Sequence, residues 1–135
     1  MMGEFTLKTS KQFETVDITS QVKKIVKDSK VKEGLCIVYC PHATGAVIIN
    51  ESWDPNIGLD FLDALDKMVP LHAGWRHDKV DNNAAAHIKA AILGPSENII
   101  IKNSELRLGQ WQNIFFCEFD GPRTERRVYV KIIKS

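Results

Sequence analysis

Short apolar runs joined by polar turns constrain the fold of this chain more than any other feature. Residues 35–39 and 46–49 are continuous apolar runs rich in β-branched side chains, and a six-residue polar turn separates them. Runs of this length are typical of buried strands, because helices in globular proteins are longer. Most of the predicted strands are connected by tight turns and not by helical crossovers. The pattern therefore predicts an antiparallel α+β domain whose core is a β-sandwich.

Five further segments complete the predicted sheets. Residues 4–9 and 12–18 alternate polar and apolar side chains, as half-buried strands do. Residues 98–102, 111–119 and 126–133 are the remaining predicted strands, and an Asp-Gly-Pro turn at 120–122 joins the last two. We expect seven or eight strands in total.

Two or three helices are predicted from capping residues and helical spacing. Thr19 or Ser20 begins the first, and Asp54 followed by Pro55 begins the second, which stops before Pro70. The third begins at Asp81 or Asn82 and ends at Gly94. Its predicted core stripe consists of Ala85, Ile88 and Ile92.

Composition excludes several classes of protein. With 135 residues, 44% of them hydrophobic and 26% charged, the chain is expected to form a single domain over residues 1–135. No apolar run approaches the roughly 20 residues of a membrane helix, and residues 1–10 lack the apolar core of a signal peptide. A net charge of +1 gives no sign of a nucleic-acid partner. Neither a membrane nor a nucleic acid is expected as a partner.

The cysteine pattern indicates a reducing compartment. The three cysteines, at 36, 40 and 117, form an odd set without Cys-x-x-Cys spacing. A disulfide framework is therefore not expected. A cytoplasmic location is expected, because the cytoplasm keeps thiols reduced. Cys36 and Cys40 lie in or beside an apolar run, so we expect buried, unreactive thiols.

Polar residues in the middle of the chain are the candidates for chemistry. His42 and Thr44 lie in the turn between two buried strands, and Glu51 follows the second of these strands. His77 lies in a long loop, and His87 lies on the helix after it. Three imidazoles with carboxylates nearby would suit zinc with an open position for water or substrate. The alternative is that His77 and His87 are ordinary surface or border histidines, because their spacing matches no short zinc motif.

A set of short motifs resembles the YjbQ-type family, also called the secondary thiamine-phosphate synthase family. The similarity runs from about residue 5 to residue 133. The matching motifs are HATGA (42–46), NE (50–51), H (77), DN (81–82), AHI (86–88), LGPS (93–96), LGQWQ (108–112) and EFDGPR (118–123). Two positions depart from the family pattern, which usually has Gly in place of Ser104 and Thr in place of Gln110.

The resemblance implies an antiparallel β-sandwich that assembles as a homotrimer. It also implies thiamine-phosphate synthase activity, weak or secondary, which joins hydroxymethylpyrimidine diphosphate to a thiazole phosphate and releases pyrophosphate. The site residues fall into three groups: catalytic Glu51, His77, Asp81 and His87; substrate-binding His42, Thr44, Asn50, Trp111, Gln112 and Arg123; and the metal ligands His42, His77 and His87.

The identity of the metal and the function itself have alternatives. Zinc suits three histidines, whereas magnesium suits a diphosphate substrate held by carboxylates. A zinc-dependent hydrolase of a small phosphorylated or amide substrate is the second hypothesis. A trimeric protein that binds a small molecule without transforming it is the third.

Overall fold

The computed structural model describes residues 2–135, which form eight strands and three α-helices. The strands are β1 (Met2–Leu7), β2 (Glu14–Asp17), β3 (Gly34–Tyr39), β4 (Gly45–Asn50), β5 (Ser96–Lys102), β6 (Glu105–Leu106), β7 (Asn113–Glu118) and β8 (Arg126–Lys134). The helices are α1 (Thr19–Ser29), α2 (Pro55–Met68) and α3 (Ala84–Leu93), with a 3-10 turn at Arg76–Lys79. The predicted α+β class is confirmed.

The strands form two sheets in which every pairing is antiparallel. The first sheet has the order β1-β8-β3-β5-β6, and the second has the order β2-β7-β4. Although β3 and β4 are consecutive, they lie in different sheets. The polar turn at 40–44 therefore carries the chain from one sheet to the other, and this places His42 and Thr44 at the edge between them.

The second sheet is covered on both faces. Side chains alternate between the two faces of a strand. Val47 of β4 and Phe116 of β7 pack with buried residues of the first sheet and of α1. Ala46 and Cys117, on the opposite face, pack with residues of α2 and α3. The sheet is thus the middle layer of the molecule, and α3 lies directly beside β4.

Helix α3 differs from its predicted boundaries and core stripe. It begins at Ala84, because Asn82 has a left-handed backbone (φ 58°) that interrupts the helix before it. The Asp78 side chain accepts the Ala84 N–H at 2.9 Å. Ala85, Ala86 and Ala90 are buried, whereas Ile92 is 54% exposed. The assignment of Ile92 to the core was wrong, since small alanines allow the helix to approach the sheet closely along another face.

The region before β7 also differs from the prediction. The strand begins at Asn113 and not at Trp111, whose side chain is 53% exposed. The short strand β6 was not predicted. It pairs with β5 across a two-residue turn at Asn103 and Ser104, both of which have positive φ.

The cysteines follow the sequence-based prediction. All three are free thiols and buried. Burial raises the pKa of Cys36 to about 12, and it raises the pKa of Cys117 further still. At neutral pH both side chains are therefore protonated and poor nucleophiles.

None of the helices described in residues 2–135 has both the length and the apolar composition of a membrane span.

Candidate functional site

The predicted site residues divide between the two ends of the second sheet. Strand β4 pairs Gly45 with Glu118 at one end and Asn50 with Asn113 at the other. At about 3.4 Å per residue, these ends lie roughly 17 Å apart. What we call the histidine end comprises His42, Thr44, His77, Asp81, His87 and Arg123. What we call the tryptophan end comprises Asn50, Glu51, Trp111 and Gln112.

A buried ion pair organises the histidine end. Glu118 is fully buried, and its carboxylate accepts hydrogen bonds from both Nε and Nη2 of Arg126. Arg126 Nη2 also donates to the Thr44 hydroxyl at 2.9 Å, and the Thr9 hydroxyl donates to Glu118 at 2.7 Å. Thr9 in turn accepts the backbone N–H of Arg123 at 2.9 Å. The predicted substrate residue Thr44 therefore belongs to a buried network that anchors the 120–123 loop.

His42 is held as a neutral imidazole. Its Nε2 accepts the backbone N–H of Arg127 at 2.8 Å, so the ring proton of the neutral form is on Nδ1. Burial is the largest cause that lowers the pKa of His42, and the nearby Arg126 guanidinium lowers it further. In this arrangement His42 can donate a hydrogen bond through Nδ1, but its Nε2 is not free to bind a ligand.

His77 and His87 form a contacting pair. Their ring centroids lie 4.8 Å apart with the planes at 87°. An Asp81 carboxylate oxygen lies 3.7 Å from His77 Nε2, close enough for charge attraction but too far for a hydrogen bond. His87 and His42 line one cavity of about 340 Å³ together with Ala43, Gly45 and Pro95. His87 therefore lies next to both other histidines, because it contacts His77 and shares a cavity with His42.

Two further polar residues, not included in the predicted site, extend the histidine end. Asp120 accepts hydrogen bonds from Arg123, through its backbone oxygen at 2.8 Å and its carboxylate at 2.9 Å. The Asn83 amide donates to the same Asp120 carboxylate at 2.8 Å. Asn83 Oδ1 is buried and has no donor among residues 2–135. Because Asn83 immediately precedes α3, this network ties the Arg123 loop to the helix that carries His87.

Of the residues at the tryptophan end, only Glu51 lines a cavity, which extends along β2. This cavity has a volume of about 610 Å³, and its other lining residues include none of the histidines. Trp111 makes an edge-on contact with Trp53 at 6.1 Å between ring centroids. Gln112 accepts the backbone N–H of Gly109 at 2.8 Å, and Asn50 accepts that of Glu51. The amide side chains of Gln112 and Asn50 therefore shape local loops.

The residues present do not fit a preformed three-histidine metal centre. Among residues 2–135, no group of three or more His, Cys, Asp or Glu side chains is arranged to hold an ion. A hydrogen bond already occupies Nε2 of His42. The zinc or magnesium ion expected at His42, His77 and His87 stays a prediction.

Fold and site together define a small antiparallel α+β protein with a histidine-lined cavity at one end of its second sheet. The chain belongs to the YjbQ/UPF0047 family, whose model, described as "UPF0047 protein YjbQ-like", matches residues 3–135. The family membership predicted from the sequence motifs is confirmed.

Relatives with curated descriptions and with solved structures agree with this assignment. The UPF0047 protein of Archaeoglobus fulgidus is 47% identical over 130 residues, covering 96% of this chain and 99% of its own. The UPF0047 protein YugU of Bacillus subtilis is 39% identical and covers 98% and 99%. A YbjQ-like protein of unknown function from Sulfolobus solfataricus superposes with a TM-score of 0.97 at 36% identity, covering 100% and 97%.

The sequence analysis did not identify the residues that form the hydrogen-bond networks around the histidine end. Glu118 carried one available signal, since it is a carboxylate inside the apolar run of 114–119 and a buried charge requires a partner. Its partner Arg126 could not be identified, because several basic residues follow the turn at 120–122. Asp120 lies in the EFDGPR motif and Asn83 lies four residues before His87, but neither position indicated the hydrogen bond between the two side chains.

Proposed function

We propose that this protein is a transferase of the thiamine-phosphate synthase type and that the histidine end binds the diphosphate of one substrate. In this reaction the bond from the pyrimidine methylene carbon to the diphosphate oxygen breaks as a bond to the thiazole nitrogen forms. Pyrophosphate leaves with the electron pair of the broken bond. Stabilising the negative charge that develops on this leaving group is the task of the surrounding side chains.

One observation carries the proposal: His87 contacts His77 and also shares a cavity with His42. His42 would donate a hydrogen bond through Nδ1 to a phosphate oxygen. His77 would act as a proton donor or a cation, oriented by the Asp81 carboxylate near its Nε2. Arg123, held by Asp120, would supply the guanidinium that suits a phosphate group.

In the proposed reaction, the thiazole phosphate has to be bound by residues outside the histidine end. The predicted catalytic residue Glu51 and the predicted substrate-binding residues Asn50, Trp111 and Gln112 are the candidates, but they lie at the tryptophan end, roughly 17 Å away in the same chain. A homotrimer in which the tryptophan end of one chain faces the histidine end of its neighbour would bring both halves together. We include this assembly in the proposal.

Turnover by the purified protein tests the proposal. With both substrates present, we expect His87→Gln and His77→Gln to lower the rate of pyrophosphate release by about 100-fold or more. His72→Asn is the matched control, because His72 is exposed and has a left-handed backbone (φ 54°) that asparagine tolerates. Equal rates in all four proteins would contradict the proposal and indicate a contaminating enzyme.

Measurements on the same purified protein distinguish the two other hypotheses, the zinc-dependent hydrolase and the non-catalytic binding protein. About one zinc per chain, lost in His87→Ala, together with hydrolysis of a phosphorylated or amide compound, would favour the hydrolase. A phosphorylated ligand that binds and is recovered unchanged would favour the non-catalytic binding protein.

A further inference from the structure

The cavity lined by Glu51 extends along β2, from Glu14, which pairs with Glu118, to Asp17, and it has a floor of apolar side chains. Phe13, Leu59, Leu62 and Phe115 line it, and its volume of about 610 Å³ is within the range of small-molecule sites. Phe13 and Leu62 also pack against the buried cluster between the second sheet and helices α2 and α3. Leu59 is 58% exposed, so the part of the floor formed by Phe13, Leu62 and Phe115 belongs to the packed interior and presents a preformed apolar surface.

The rim of this cavity is acidic. Glu14, Asp17, Glu51 and Asp54 line it, against a single lysine, Lys11. Hydrogen bonds fix three of these carboxylates: Ser10 donates to Glu14, Thr19 to Asp17 and the Asn56 N–H to Asp54. These donors are neutral and leave the negative charge in place. Among residues 2–135, no ion pair is formed by any of the four carboxylates.

A second lysine, Lys89, lies behind the apolar floor of the cavity. Lys89 is 1% exposed, and its Nζ stands 4.0 Å from the centroid of the Phe13 ring. It also lies 3.4 Å from an Asp66 oxygen, which offsets its charge. Lys89 is not a lining residue, so it does not occupy the cavity.

A pair of exposed tryptophans stands next to the rim. Trp53 lies in sequence between Ser52 and Asp54, which both line the cavity, and it is 76% exposed. Trp111 contacts it edge-on and is 53% exposed. Large aromatic side chains exposed beside a cavity are a common feature of binding sites. Their ring faces attract cations, particularly flat organic ones.

From the apolar floor, the acidic rim and the adjacent tryptophans, we propose that this cavity binds a small aromatic cation, such as a positively charged nitrogen heterocycle. A bare metal ion suits the site less well, because the carboxylates surround an apolar floor and do not converge on one point. Glu51 is common to this inference and to the proposed transferase, which assigns it to the second substrate. The cation site itself is argued from the floor, the rim and the tryptophans, and it shares no lining residue with the histidine cavity.

The test uses N-methylquinolinium chloride as the cation and quinoline as its neutral analogue at pH 7.5, added to the full chain. We expect the cation to bind at least tenfold more tightly by titration calorimetry. In the nuclear magnetic resonance spectrum of the ¹⁵N-labelled protein, the amides of Thr15 and Gly58 should shift, whereas that of Ala91 in the histidine cavity should not.

Three variants locate the charge that recognises the cation. Glu51→Gln removes one negative charge at constant shape and should raise the dissociation constant about three- to tenfold. Ser52→Lys places a positive charge at the rim and should abolish binding. Asp28→Asn is the control, because it removes the same charge from α1, where Asp28 pairs with Lys24. Asp54 is left unchanged, since it caps α2.

Three results would overturn the inference. One is equal affinity for quinolinium and quinoline, or no measurable binding of either. Another is a set of shifted amides confined to residues outside the cavity. The last is a Glu51→Gln protein that binds the cation as tightly as Asp28→Asn. Each result is read without any turnover assay, so failure here is distinguishable from failure of the proposed transferase.

Discussion

At the residue scale, Ser104 occupies a backbone conformation that glycine adopts more easily. Asn103 (φ 54°) and Ser104 (φ 66°) form the two-residue turn between β5 and β6, and turns of this kind favour Asn-Gly. We expect Ser104→Gly to raise the free energy of unfolding by about 0.5–1 kcal/mol, measured by urea denaturation.

The opposite result is expected for the same substitution elsewhere. Ser20 lies in the first turn of α1, where glycine loses backbone entropy without relieving strain. Ser20→Gly should therefore lower the stability. If Ser104→Gly destabilises the protein as much as Ser20→Gly does, the turn is not strained as described.

His42 links stability to pH at this scale. Its pKa in the folded protein is lowered, chiefly by burial, so the unfolded chain takes up the proton first as the pH falls. The stability associated with His42 is complete above its ordinary pKa of about 6.5 and is lost as the pH falls below this value. In His42→Gln, the glutamine oxygen can still accept the Arg127 N–H, but it cannot titrate.

We therefore expect His42→Gln to lose less stability than the unaltered protein between pH 7.5 and pH 5.5. Urea unfolding at the two pH values gives this difference, and the other three histidines are common to both proteins. An identical loss in the two proteins would show that His42 titrates normally.

At the element scale, the Glu118–Arg126 pair connects β7 to β8 across the two sheets. Glu118 lies at the end of β7 and Arg126 at the start of β8, with relative exposures of 0% and 5%. Removing one partner leaves the other charge buried and unpaired. Arg126→Leu and Glu118→Leu should each cost about 3–5 kcal/mol of stability.

The double variant distinguishes pairing from simple packing. Without either charge, the desolvation penalty disappears, so Glu118→Leu with Arg126→Leu should cost less than the sum of the two single changes. Thermal or urea unfolding of all four proteins gives the coupling energy. Additive costs would show that the two side chains contribute independently.

Elements specified by local sequence were predictable, and those specified by packing were not. Asp54 and Pro55 begin α2, as their capping chemistry predicts, and the Asp54 oxygen accepts the Asn56 N–H. The β-branched runs became β3 and β4. The start of α3 depends on the left-handed Asn82 and on a cap from Asp78, six residues before Ala84. Neither feature is visible in the hydrophobic spacing.

At the scale of the whole molecule, the candidate site could be predicted as a set of residues but not as an arrangement. The motifs identified the histidines, and the structure brings His77, His87 and His42 into one neighbourhood. The same motifs include Glu51 and Trp111, which lie at the opposite end of β4. Sequence order does not reveal this, because a strand of only six residues still separates its ends by roughly 17 Å.

The proposed trimer predicts a molecular mass and a complementation between variants that a monomer would not show. Light scattering should give a mass about three times the 15.3 kDa of the chain. In a ring of three with head-to-tail contacts, mixing His87→Gln chains with Glu51→Gln chains should restore about a quarter of the activity of the unaltered protein. A monomer, or mixed assemblies as inactive as each variant alone, would contradict a site shared between chains.

Binding of pyrophosphate to the histidine end tests the central claim most directly, since it needs neither a second substrate nor turnover. Titration calorimetry should show that the unaltered protein and His72→Asn bind pyrophosphate with equal affinity. His87→Gln and Arg123→Gln should each raise the dissociation constant at least tenfold, which corresponds to about 1.4 kcal/mol. Equal affinity in all four proteins would show that the anion binds elsewhere, and the account of the histidine end would be wrong.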